Sequence, residues 1–237
     1  MANEQILERE VDFPGKACTL SAYVAEPPDG STAATPAVIV VQEWWGLNDH
    51  IRDVARRLAR EGYVGVAPDL YSRQGHQVAT DPNTAARLMG ALKQADGIED
   101  LKTTTAWIRD QKRTRSSKIG IIGFCMGGSY ALLLPCESKE LSAAAPFYGE
   151  IPPDNKIRDL ACPVFYAYDT NDGWINRADV DRLQKALREF GKQGEVKLYP
   201  GCSHGFFNDT RPDVYNAEAA RDAWQQVLKL FAANLPG

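Results

Sequence analysis

The stretch Lys118 to Gly128, Lys-Ile-Gly-Ile-Ile-Gly-Phe-Cys-Met-Gly-Gly, constrains this chain more than any other. Ile119, Ile121 and Ile122 make an apolar, β-branched run of strand length, the composition of a strand buried on both faces of a parallel sheet. The run stops at a turn of small residues that presents one cysteine, Cys125, in the pattern G-x-C-x-G. In the commoner G-x-S-x-G pattern the reactive residue sits on a sharp strand-to-helix turn, where flanking Cβ atoms would clash and glycine is required. A helix expected from Ser129 to Leu134 begins at the cysteine, so its unbonded N–H groups and positive dipole end favour a thiolate and a developing oxyanion. Free cysteine is also among the most buried residue types, and Cys125 alone would fit a small core position equally well. The rest of the chain separates the two readings.

Strands and helices alternate along the sequence. Ala17 to Ala25 reads as an edge strand closed by the turn cluster Pro27-Pro28-Asp29-Gly30-Ser31. Pro36 to Val41 is a continuous apolar strand that ends in the loop Gln42-Glu43-Trp44-Trp45-Gly46, at the carboxyl end where open α/β sheets place their ligands. Asn48 or Asp49 can cap a helix carrying Ile51, Val54, Ala55, Leu58 and Ala59 at helical spacing, and Gly62 stops it. A strand at Tyr63 to Ala67 leads to a long polar loop, Ser72 to Pro82, a candidate cover for the site. Helices follow near Asn83 to Gln94 and Ile98 to Gln111. After the cysteine turn come strands at Ala143 to Tyr148, Pro163 to Tyr168 and Glu195 to Tyr199, and a helix from about Ala178 to Phe190. The last helix carries Ala220, Trp224, Val227, Leu228 and Phe231 as one stripe. This order predicts an α/β fold with a mostly parallel sheet and helices on both faces, one domain over residues 1–237, with no large lid.

A net charge of −4 with both signs interspersed offers no basic stripe for a phosphate backbone, so nucleic acid is not an expected partner. The polar start of the chain has no signal pattern, and no apolar run approaches the roughly 18 residues of a membrane span, so the expected location is cytoplasmic. Five cysteines at irregular spacing, with no C-x-x-C pair and no paired His/Cys cluster of zinc-site spacing, suggest neither a disulfide framework nor a metal site.

Two residues fall where a cysteine nucleophile needs help. Asp172 lies just past one strand, in Tyr168-Asp169-Thr170-Asn171-Asp172-Gly173, and His204 just past the next, in Gly201-Cys202-Ser203-His204-Gly205-Phe206. A thiol is only a few per cent ionised at neutral pH and must give its proton to a base, which an imidazole accepts, while a carboxylate fixes the imidazole's tautomer. The other histidines, His50 at a helix start and His76 in a polar loop, read as surface residues. Asp172 is favoured over Asp169 as the acid because Asn171 and Gly173 build a tight turn around it, whereas Asp169 reads as a turn-forming aspartate.

These stretches, with Pro68-Asp69-Leu70-Tyr71, together resemble the dienelactone hydrolase family of α/β hydrolases over nearly the whole chain from Ala17 onward. The resemblance implies a carboxylic ester or lactone hydrolase acting on a small-molecule substrate, with a Cys125, His204 and Asp172 triad and no metal or organic cofactor. It assigns Glu43 to the resting thiol and the oxyanion to the backbone N–H groups of Met126 and Trp44. The family's better-known members hold a substrate carboxylate with two arginines. Asn208 stands at one of these positions, and Arg87 lies in the region of the other. Trp45, Tyr71 and Phe206 are the aromatic candidates for the substrate pocket, along with Tyr148, Trp174 and Phe207. The contrasting possibility is a ligand-binding or thiol-redox protein on the same fold, which the lack of an obvious resolving cysteine disfavours.

Overall fold

Apolar β-branched runs form strands and amphipathic stretches form helices in a computed structural model that describes residues 5–28, 34–114 and 118–236. Eight strands make a mostly parallel sheet. The chain divides into two compact units, Met1–Gly120 and Ile121–Pro236.

The first unit holds β1 (Leu7–Pro14), β2 (Thr19–Glu26), β3 (Ala37–Val41) and β4 (Val64–Pro68), in the order β1-β2-β4-β3. β3 and β4 run parallel, while β2 is antiparallel to β4 and β1 antiparallel to β2. Strand β1 was not expected. Seven of its eight side chains are exposed or half-buried, so it has no apolar face to announce it, and it is held by backbone pairing from Leu7↔Glu26 to Pro14↔Thr19. Side-chain bonds from Tyr23 to Glu8 and from Ser21 to Asp12 reinforce the pairing. In this unit β1 is therefore the outermost strand, and β2 lies inside it. The Asp29-Gly30-Ser31 part of the expected turn cluster lies outside the described residues.

Helix α1 (Asp49–Arg60) is capped by Asn48, whose side chain accepts from the Ile51 amide, and Gly62 ends it at a φ of 90°. Its inner face is the expected stripe with one addition: His50, expected on the surface, is buried at 1% exposure. The reason is helical spacing, since residue 50 lies on the same face as Val54 and Leu58. A Cβ on Gly65 of β4 would lie 2.6 Å from the Ala55 carbonyl, so the glycine lets α1 settle on the strand. Helices α2 (Pro82–Ala91) and α3 (Gln94–Asp110) follow the loop, and Asp81 caps α2. A single 3₁₀ turn, Ser72–Gln74, opens that loop, and Arg73 ties it to α3 through two hydrogen bonds to the buried Asp100 carboxylate.

The second unit carries β5 (Ile119–Phe124, which starts at the end of the first unit), β6 (Ala143–Phe147), β7 (Val164–Asn171) and β8 (Gly194–Ser203), in that order. The helices are α4 (Met126–Glu137), α5 (Asp154–Ile157), α6 (Arg177–Glu189) and α7 (Ala217–Asn234). Both β7 and β8 outrun their apolar stretches by several polar residues, because their parallel pairing continues through Asp169↔Tyr199 to Asn171↔Ser203 with a register shift between Asp169 and Asn171. That extension carries Asp172 and His204 to neighbouring strand ends. On α7 the buried stripe is Ala219, Ala220, Ala223, Val227 and Phe231, with Trp224 and Leu228 half-buried on its flank. Among the described residues, no helix is long and apolar enough to cross a membrane.

Candidate active site

Cys125 sits between β5 and α4 with φ 57° and ψ −121°, a conformation that side-chain-bearing residues rarely adopt and that costs about 1 to 3 kcal/mol. Surrounding glycines make it possible. A Cβ on Gly123 would lie 2.1 Å from the Gly127 carbonyl oxygen, and one on Gly128 would lie 2.2 Å from that of Phe147. The Cys125 amide donates to the Phe147 carbonyl at 3.1 Å, pinning the elbow to the end of β6. The amides of Gly128 and Ser129 then close back on the Cys125 carbonyl. Helix α4 therefore starts at Met126, three residues earlier than its apolar pattern suggested, and places its first turn against the thiol. Sequence reading missed Gly149, at which a Cβ would lie 2.1 Å from the Ser129 amide nitrogen.

His204 Nδ1 lies 2.7 Å from Asp172 Oδ2. The other Asp172 oxygen accepts from the amides of Trp174 at 2.7 Å and Ile175 at 2.8 Å, so the tight turn expected at this point does aim the carboxylate. Its side chain is fully shielded, while His204 keeps a quarter of its side chain exposed. Burial opposes ionisation of Asp172, but the hydrogen bond and charge of His204 and the two amides outweigh it and hold the carboxyl below its usual range. For His204, burial likewise disfavours the charged form. Hydrogen bonds to Asp172 and Cys125, with the charges of both, prevail and raise it to about 10. The imidazole is thus bonded to an acid and to the thiol, which is the arrangement that moves a proton from sulfur to nitrogen. Rings of Tyr148, at 4.9 Å, and Trp174, at 5.6 Å, flank it.

Asp169 differs from its expected role as a turn former. It lies on β7, wholly buried, with an oxygen within 4.8 Å of donor atoms of both Asp172 and His204. Two carboxylates and an imidazole at that spacing are a possible cation-binding set. The nitrogen of His204 that faces Asp172 is, however, already hydrogen-bonded to it, and the same atoms form a complete acid–base pair.

The sequence pattern of the dienelactone hydrolase family matches residues 20–235. The chain belongs to that family. Among its dienelactone hydrolase relatives, a protein of Synechocystis sp. named "Putative carboxymethylenebutenolidase" is 34% identical over 240 residues, covering 95% of this chain and 96% of its own length. A protein of the same name from Yersinia pestis is 37% identical over 94% of this chain and 86% of its own. The crystal structure of a Klebsiella pneumoniae protein titled "Putative Dienelactone Hydrolase" superposes with a TM-score of 0.89 at 32% identity, over 96% of this chain and 99% of the other. This dienelactone hydrolase family member is accordingly a hydrolase with an α/β fold, of a family that acts on small molecules.

The remaining residues singled out by the dienelactone hydrolase resemblance are placed as follows. In the second unit Phe206 is fully buried, with its ring 5.5 Å from that of Tyr148. Asn208 is 1% exposed, and its side-chain carbonyl accepts from the amide and hydroxyl of Thr210, so it shapes its own loop. In the first unit Glu43 follows β3 and is buried, at 2% exposure. Trp44 and Trp45 pack edge to face, and the Trp44 carbonyl accepts from the hydroxyl of buried Tyr71. Arg87 lies on α2, where it donates to Gln77 Oε1 in an exposed bond.

Proposed function

We propose that this protein hydrolyses carboxylic esters or lactones through Cys125, His204 and Asp172 by way of a thioester acyl-enzyme. The observation that carries the reading is His204, bonded to the shielded Asp172 carboxylate and to a cysteine on a strained elbow at a helix N-terminus. The Cys125 sulfur attacks the substrate carbonyl as its proton passes to His204. Backbone N–H groups receive the oxyanion, that of Met126 directly after the nucleophile and, by the family resemblance, that of Trp44. Collapse forms the thioester, breaks the C–O bond, and His204 protonates the departing alkoxide. Neutral His204 next takes a proton from water as the hydroxide adds to the thioester carbonyl. Expulsion of the sulfur then frees the carboxylic acid.

Substrate charge is the further question. With Asn208 where better-known members carry an arginine, a substrate carboxylate loses one charge-assisted contact, typically about 1.5 to 3 kcal/mol. Neutral lactones and short aryl esters should therefore be turned over at rates comparable to, or above, those of carboxylate-bearing lactones. Steady-state assays across such a panel test both points. Sustained turnover is expected; a single stoichiometric burst would mean that Cys125 is only acylated, and a preference of several orders of magnitude for the anionic lactone would show that another cation holds the carboxylate.

Glu43 is proposed to act on the resting thiol, as the resemblance implies. Glu43 is 2% exposed, and acidic side chains are seldom this buried without a task, which supports a role in the chemistry. Glu43→Gln should lower kcat by about ten- to a hundredfold with KM little changed, since the shape is kept and the charge is lost. The rate of Cys125 alkylation by iodoacetamide should shift in its pH dependence. Unchanged alkylation and turnover would make Glu43 a bystander.

A further inference from the structure

Asp169 is a buried titratable group that the chemistry above leaves unused. It is 0% exposed, and among the described residues no donor is hydrogen-bonded to either of its carboxyl oxygens. Residues three apart on an unbroken strand point to opposite faces, but the register shift between Asp169 and Asn171 breaks that alternation. It brings a carboxyl oxygen of Asp169, one of Asp172 and a ring nitrogen of His204 within 4.8 Å of one another. A buried carboxylate here would lack donors and face a second negative charge. A carboxylic acid in the same place has a proton to give, and Asp172 is an acceptor beside it.

We propose that Asp169 is a positioning residue for the triad, a neutral acid that donates a hydrogen bond to Asp172 and so holds that carboxylate toward His204; the inference rests on the triad reading above. Burial, then the charge of Asp172, push Asp169 up to about 7, while the charge of His204 draws it back. The other titratable groups around it reinforce this. Tyr166 and Tyr168 on β7 and Cys202 on β8 are all raised, mainly by burial, and stay neutral at physiological pH. Tyr199, its register partner on β8, donates to Asp222 of α7, which Lys197 also pairs. Above neutrality Asp169 loses both its proton and its donor role. The added negative charge then favours protonated His204, which slows activation of water in deacylation.

Two variants separate donation from titration. Asp169→Asn keeps an N–H donor without a titrating proton, whereas Asp169→Val removes the donor at similar size. At about pH 6 the Asn variant should keep kcat within roughly threefold of the parent, while the Val variant loses about tenfold with KM unchanged. Between about pH 6 and 8.5 the kcat ratio of the Asn variant to the parent should rise several-fold. Melting curves give a readout that does not depend on turnover. The folded state binds this proton more tightly than the unfolded chain, whose aspartates titrate near 3.9, so the parent loses stability from about pH 4 to 7, and the Asn variant should gain melting temperature relative to it over that window. Equal kcat in the Asn and Val variants, or kcat and melting differences that stay flat with pH, would overturn the proposal. Failure of the triad reading would show separately, as turnover retained by Cys125→Ala.

Discussion

Cys125→Ala is expected to lower kcat by a factor on the order of 10⁴ or more while the protein still folds. The loss is large because no other group can form the acyl bond, and what remains is binding and oxyanion stabilisation alone. Folding should survive because alanine carries the same Cβ as cysteine into the φ 57° conformation, so the backbone strain already tolerated there is unchanged. The sulfur is replaced by less bulk, with no new contact to accommodate. His204 loses one of the two partners that raise it to about 10, and its proton affinity should fall accordingly. Circular dichroism and a melting curve close to the parent's, with turnover at background, are the expected results. Cys125→Ser should be nearly as poor, since a hydroxyl ionises far less readily than a thiol in a site tuned for sulfur. Wild-type rates in the alanine variant would remove Cys125 from the mechanism.

Asp172→Asn should cost about 10³- to 10⁴-fold in kcat through the wrong imidazole tautomer. In the parent, one Asp172 oxygen accepts from the amides of Trp174 and Ile175 and the other faces His204 Nδ1. The asparagine oxygen must stay with the two amides, which places its NH₂ against Nδ1. That nitrogen then has to be the acceptor, the ring proton moves to Nε2, and the imidazole can no longer take a proton from the thiol. The same change carries a pH signature in stability. Because His204 is raised when folded, the stability it contributes is complete below its unfolded value near 6.5 and is lost as pH rises through about 10. Asp172 is lowered, so its contribution is present above about 3.9 and lost as pH falls through its folded value. The melting-temperature gap between parent and variant should therefore be widest between about pH 4 and 6.5 and close toward both extremes. A gap that does not vary with pH would mean that the Asp172–His204 pair is not ionic.

The elbow was legible in the sequence because its requirements are local. A backbone at positive φ with a strand and a helix crossing within van der Waals distance tolerates side chains at so few points that Gly123 and Gly128 had to be glycine, and their spacing around Cys125 announced the turn. The same holds for the α1 cap at Asn48 and for the turn that follows β7, each written in a few adjacent residues. Strand β1 was not legible, since its stability comes from backbone pairing with β2 and its side chains carry no pattern. His50 went inside because a helical stripe, once packed, buries every residue on it whatever its polarity. Choosing between Asp169 and Asp172 rested on turn chemistry and favoured the residue that does bond His204. What each aspartate faces, however, depends on the pairing of β7 with β8 and on a register shift along it. Which residue types stand at the elbow and at the two strand ends was determined by the sequence alone, because local sterics and turn chemistry act through residue type. Their protonation states were decided only by the tertiary structure, because burial and the charge of a neighbour 32 residues away arise only when the two strands lie side by side.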